Sequence, residues 1–150
     1  MELPPPAATR PEPHPSLVTT CHVTYGLHVF GLAVGALGIA SIVGALVFIW
    51  PAVLAVVLNY VKRADARGTW LESHVRWQIR TFWIAFGLGG AVLVIGVVLI
   101  IMAMTYPSRT GAATTGGFIA WGFAWLAIAV WSGYRVIRGW MTLKRRQPMP

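Results

Sequence analysis

Acidic residues and cysteines are scarce in this chain. Only four Asp and Glu stand against twelve Lys and Arg among its 150 residues. The single cysteine, Cys21, excludes an internal disulfide and any metal site built from several cysteines. A glycine-rich phosphate loop, a His-Glu-x-x-His zinc motif and a nucleophile motif are all missing. These absences predict a protein that is not an enzyme and has no catalytic residue, cofactor or metal.

Charge is also missing from three long segments, residues 13–61, 81–108 and 110–134. A helix of about 20 apolar residues crosses a hydrocarbon core of roughly 30 Å. Hydrophobic residues make up 57% of the chain and charged residues 11%, a composition too apolar for an ordinary soluble domain. The sequence therefore predicts an all-α fold, a polytopic membrane helical bundle.

The first uncharged segment is long enough for two crossings, since residues 17–58 as one helix would extend about 63 Å. A break near residues 35–41 gives a tight helical hairpin, with Pro51 kinking its second helix. The alternative is a single crossing preceded by an amphipathic segment in the membrane interface. The hairpin model predicts a transmembrane domain at 17–140, with helices at about 17–34, 42–60, 81–104 and 117–134. It also predicts a disordered Pro-rich tail at 1–16, a cytoplasmic loop and helix at 61–80, and a basic tail at 141–150.

The basic residues predict the orientation, because ten of the twelve Lys and Arg fall within residues 62–80 and 135–146. The loop between the last two predicted spans holds only Arg109. Basic loops remain on the cytoplasmic side, so both clusters and both termini are predicted to be cytoplasmic. Because these clusters flank apolar segments, the expected partners are the lipid bilayer and its anionic headgroups, with a membrane-protein partner or a second copy, and no nucleic acid.

The densest polar stretch precedes the third predicted span. Glu72, Arg76 and Arg80 are spaced i, i+4, i+8 and share a helical face. His74 and Gln78 form a second polar row beside it. One interpretation is a contact site for an anionic lipid or a partner protein. The other is an amphipathic helix whose arginine side chains extend to the interface and whose tryptophans anchor it. The predicted contact residues are Glu72, His74, Arg76, Gln78 and Arg80.

Three functions fit this pattern. The first is a non-enzymatic accessory or scaffold subunit acting through its cytoplasmic Arg/Trp-rich face. The second is a component of a translocation or transport assembly, although no acidic residue lies in a predicted span to carry a proton or cation. The third is a haem-binding or redox subunit using His22 and His28, which lie six residues apart and therefore about 120° from sharing a helical face.

Two stretches resemble a known group of proteins. The first covers residues 59–63 (Asn-Tyr-Val-Lys-Arg) and 66–83, whose core is the His-x-x-x-Gln pattern of His74 and Gln78; the second covers 134–140 and 147–150. Both resemble small, uncharacterised proteobacterial inner-membrane proteins, which are distantly similar to the four-helix proteins related to the chloroplast inner-envelope import component. The resemblance implies four helices and a bacterial inner membrane. It implies no catalytic residue, and a channel role would be a fold-level analogy.

Overall fold

A computed structural model describes residues 11–37, 42–106 and 111–150. Side chains are described in these ranges except for residues 34–49. The described residues form four α-helices and contain no strand, so the all-α prediction is confirmed. Their order and bounds are α1 Pro15–Leu37, α2 Ile42–Lys62, α3 Leu71–Thr105 and α4 Ala112–Lys144.

Local sequence signals start two of these helices. In α1, Pro15 occupies the first helical position, where its missing N–H costs no hydrogen bond. The Ser16 N–H donates to His14 Nδ1 at 3.3 Å, so the His14 side chain caps the helix. Before α3, Gly68 has a φ of 76°, a conformation that favours glycine. The Gly68 N–H donates to Glu72 Oε2 at 3.0 Å and ties the turn to the helix.

Both later helices are longer than predicted. The predicted loop helix and third span form one continuous helix, α3, of 35 residues, which extends about 52 Å. The last helix, α4, has 33 residues and runs beyond the predicted 117–134 at both ends. Their charged ends remain helical because they pack on each other and on α1. Of the predicted break at 35–41, residues 35–37 belong to α1 and residues 38–41 lie outside the described residues, as does most of the predicted tail at 1–16.

The apolar parts of α3 and α4 are suited to lipid. Both helices are long and apolar enough to cross a membrane, and almost none of their most apolar segments is buried in the protein. Large apolar side chains instead point outward, with Val94 63%, Met104 78% and Phe123 66% exposed. A soluble protein rarely exposes so large a continuous apolar surface. Among the described residues, these two helices are therefore the candidates for crossing a membrane.

Glycines on one helix receive tryptophans from the other where α3 and α4 pack. A Cβ added to Gly96 would lie 2.5 Å from Trp121 Nε1, so only glycine fits there. The indole Nε1–H of Trp121 donates to the Val92 carbonyl at 2.8 Å. Gly89 lies one heptad before Gly96, and a Cβ added to it would lie 3.5 Å from the Trp125 ring. The two helices thus approach closely, and the partly buried indole N–H of Trp121 finds its partner in the backbone.

The other half of the bundle holds the core, beside the basic residues 62–80 and 135–146. There α1 packs on α2 and α4, and Gly139 admits the Tyr25 ring, whose Cε1 would lie 2.8 Å from an added Cβ. The buried apolar residues of this core are Leu17, Cys21, Tyr25, Ala66, Trp70, Leu71, Val75, Val136 and Leu143.

We expect the Gly96→Ala substitution to destabilise the α3–α4 pair by about 1–3 kcal/mol, because the new methyl group overlaps the Trp121 indole. Gly90→Ala is the matched control, since nothing lies within 4 Å of its added Cβ and alanine favours a helix over glycine by about 1 kcal/mol. Thermal unfolding of the detergent-solubilised variants, followed by circular dichroism, measures both effects. Equal unfolding temperatures for the two variants would contradict the packing described above.

Candidate functional site

A series of hydrogen bonds between two side-chain amides and a thiol joins three helices inside the core. Asn59 of α2 donates its Nδ2–H to Gln78 Oε1 at 2.9 Å, and both residues are buried. Gln78 of α3 in turn donates its Nε2–H to Cys21 Sγ of α1 at 3.4 Å. Because these polar groups are paired with one another, this series of hydrogen bonds stabilises the fold and leaves none of the three residues at the surface.

The imidazole of His74 joins α1 to the end of the chain. Its Nε2 lies 2.8 Å from the Gln147 carbonyl oxygen. A carbonyl only accepts, so Nε2 carries the hydrogen, and Nδ1 of the neutral ring accepts from the Tyr25 hydroxyl at 3.2 Å. The Trp70 ring packs edge-on against the imidazole with centroids 5.7 Å apart. His74 is therefore an internal connector with both ring nitrogens occupied.

The end of the chain packs against the start of α3. The Met149 N–H donates to Ser73 Oγ at 2.9 Å, next to the bond between His74 and Gln147. The Met149 side chain is 6% exposed. The first four residues of the predicted basic tail at 141–150 belong to α4. Gln147 and Met149, nearer its end, cover the start of α3.

The predicted contact residues divide between two faces of α3. His74 and Gln78 are buried with partners inside the protein, as described above. Arg76 and Arg80 are exposed, and Arg76 Nη2 donates to Glu72 Oε1 at 3.0 Å. The Gly68 N–H, and then the Arg76 charge, hold the pKa of the Glu72 carboxyl below its usual range. An exposed pair of this kind adds little stability.

Arg135 is central to the site, although the sequence did not single it out. Its guanidinium lies over the Trp77 ring, 3.6 Å from the centroid. Its Nε donates to Thr81 Oγ1 at 2.9 Å, and Trp77 Nε1–H donates to the Arg135 carbonyl at 3.1 Å. The Trp131 ring lies on the same guanidinium at 5.2 Å. A basic residue following an uncharged segment was the available signal, but two of its partners, Trp77 and Thr81, lie on another helix, α3.

The histidines of the haem hypothesis make other bonds. His22 Nδ1 accepts from Trp140 Nε1–H at 2.9 Å. His28 Nδ1 donates to the Thr24 carbonyl at 2.8 Å, and the His28 Nε2 is buried without a partner. Within the part of the chain that the structure describes, no three His, Cys, Asp or Glu side chains are grouped to hold a metal ion.

Comparison of this chain with protein-family models, with curated proteins and with solved structures finds no match.

We expect Gln78→Leu to destabilise the protein by about 1–2 kcal/mol, because the buried amide of Asn59 loses its partner. The double variant Asn59→Leu/Gln78→Leu removes both polar groups and should regain most of that loss. Unfolding of the detergent-solubilised protein by denaturant measures the four members of this cycle. Strictly additive losses in the double variant would show that the two amides are not coupled.

Proposed function

We propose that this chain is a non-enzymatic accessory or scaffold subunit of a membrane, acting through its cytoplasmic Arg/Trp face. That face consists of exposed or half-buried arginines and tryptophans on α3 and α4: Arg76, Trp77, Arg80, Trp131, Arg135 and Arg138.

The observation that carries this proposal is the separation of inward and outward polar groups. Cys21, His74 and Gln78 have partners inside the protein. Three arginines of the Arg/Trp face, Arg76, Arg80 and Arg138, are exposed, whereas Arg135 is half-buried against tryptophan. Within the described ranges, only Arg76 of these four has an acidic partner. A surface rich in arginine and tryptophan has the composition typical of protein interfaces. The outward groups are therefore suited to binding rather than to chemistry.

We infer further that the chain crosses a bacterial inner membrane four times, with both termini cytoplasmic. Support comes from α1 and α2, whose 23 and 21 residues extend about 35 and 32 Å, enough to span a bilayer core. Leu17, near the start of α1, and Lys62, at the end of α2, line one small cavity of about 10 Å³. Only four residues separate the end of α1 from the start of α2. The two helices are therefore antiparallel, as a hairpin requires.

Reporter fusions at Ser16, Arg109 and Pro150 test this topology, although Arg109 lies outside the described residues. We expect a cytoplasmic signal at Ser16 and Pro150 and an external signal at Arg109, since basic loops remain inside. The measurement uses paired reporters, one active only in the cytoplasm and one only outside it. An external signal at Ser16 would leave three spans and reject the hairpin.

Substitution of Arg76 and Arg80 by glutamine tests the scaffold role. We expect Arg76→Gln/Arg80→Gln to lose copurifying proteins while the protein still inserts into the membrane. The variant Arg63→Gln/Arg67→Gln is the matched control, because it removes the same charge from exposed loop positions. Purification in mild detergent from the native membrane, with quantitative mass spectrometry, measures partner retention.

An unchanged set of partners in the first variant would reduce Arg76 and Arg80 to membrane anchors. The same wild-type sample discriminates the other two functions. A Soret absorbance band would favour a haem-binding subunit, and conductance after reconstitution into vesicles would favour a transport component.

A further inference from the structure

Three arginines lie near the level at which α3 and α4 leave the apolar part of the bundle. Arg135 of α4 donates to Thr81, the residue after Arg80. Arg138 lies one helical turn beyond Arg135 on a neighbouring face. Arg135 interacts electrostatically with both Arg80 and Arg138. The fold thus assembles three positive charges from two helices at one level.

These three charges lack acidic partners within the part of the chain that the structure describes. The ion pairs there are Lys62 with Asp65 and Arg76 with Glu72. Arg138 donates to the Tyr134 hydroxyl at 3.3 Å, which carries no charge. Like charges at short range repel, and the repulsion grows where apolar surface displaces water. A bound anion would relieve that repulsion.

The surroundings of the cluster are apolar on one side. Arg80 is the last charged residue before the uncharged segment 81–108, and Arg135 is the first after 110–134. Exposed apolar side chains, among them Val130 and Ile137, continue from the cluster along α4. A groove of about 400 Å³ beside Arg138 is lined by Ile137 and Met141 as well as by Arg145. Such a surface fits a molecule with an anionic head and an apolar chain.

We propose that Arg80, Arg135 and Arg138 bind the phosphate of an anionic phospholipid. The exposed side chains of Arg80 and Arg138 contact the phosphate oxygens, because guanidinium donors match that geometry. Arg135 is held by Trp77 and Thr81, and it supplies a fixed positive charge beneath the two exposed arginines. The acyl chains follow the exposed apolar side chains of α4.

This inference deepens the proposed function, because it names the ligand of one part of the Arg/Trp face. It rests on that function only in placing the face at the cytoplasmic surface of the membrane, where anionic lipids attract basic side chains. Arg80 is common to both double variants, so single variants separate the two tests: Arg76→Gln removes no residue of the lipid site, and Arg138→Gln leaves Arg76 and Arg80 in place. Loss of lipid binding and loss of protein partners are therefore separate results.

Native mass spectrometry of the full chain in mild detergent tests the site. Phosphatidylglycerol and phosphatidylcholine with identical acyl chains are titrated in parallel, and inorganic phosphate is added as a competitor. We expect preferential binding of phosphatidylglycerol to the wild type. In Arg80→Gln/Arg138→Gln we expect about 30-fold weaker binding, since each arginine near a membrane surface contributes on the order of fivefold. The control Arg63→Gln/Arg67→Gln loses the same charge and should bind as the wild type does.

Equal binding of the two lipids would overturn the proposal, because it would mean that the anionic headgroup is not recognised. An equal loss in the control variant would also overturn it, because that result indicates diffuse charge attraction. Displacement of the lipid by millimolar inorganic phosphate would also overturn it in favour of a free-anion site. The variant Arg135→Lys provides an independent check, because it keeps the charge but loses the planar contact with Trp77. Since lysine no longer holds the charge in place, we expect weaker phosphatidylglycerol binding with the helical circular dichroism retained. Unchanged binding would contradict the role of Arg135.

Discussion

The contact between Trp77 and Arg135 holds α3 and α4 in register, and the rest of the structure depends on that register. The guanidinium lies on the indole, the indole N–H bonds the Arg135 backbone, and Thr81 completes the contact. A cation between two aromatic rings gains attraction without a buried counter-ion. Farther along the same antiparallel pair, Trp121 meets Val92 and Gly96. A slip of one residue would remove both sets of contacts.

The bundle separates polar groups that stabilise it from polar groups that remain available for binding. The amides of Asn59 and Gln78, the imidazole of His74 and the thiol of Cys21 pair inside the core, because an unsatisfied group would be costly there. The chain end contributes to that pairing through the Gln147 carbonyl. Arginines remain at the boundary with the apolar surface, where Trp77 and Trp131 also lie. This division is the observation from which the scaffold role and the lipid site are proposed.

The sequence predicted the all-α class and the end of the third helix near residue 104, but it underestimated the length of the last two helices. Charged residues 71–80 were assigned to a separate loop helix, since hydropathy marks only the segment in contact with lipid. His74 and Gln78 were predicted beside Arg76 and Arg80 as one contact surface. Spacing along a helix shows which residues share a face, but it does not show which face is covered. Here α1 and the chain end cover the face of His74 and Gln78.

The sequence by itself determined that the chain is helical, that its long segments are apolar and that its basic residues cluster beside them. Those properties follow from composition and from periodicity along the chain, which need no partner. Only the tertiary structure decided that Arg135 stacks on Trp77, that Gly96 receives Trp121 and that Tyr25 reaches His74. Each of these contacts joins residues at least 25 positions apart, and local patterns contain no information about which distant side chains will meet.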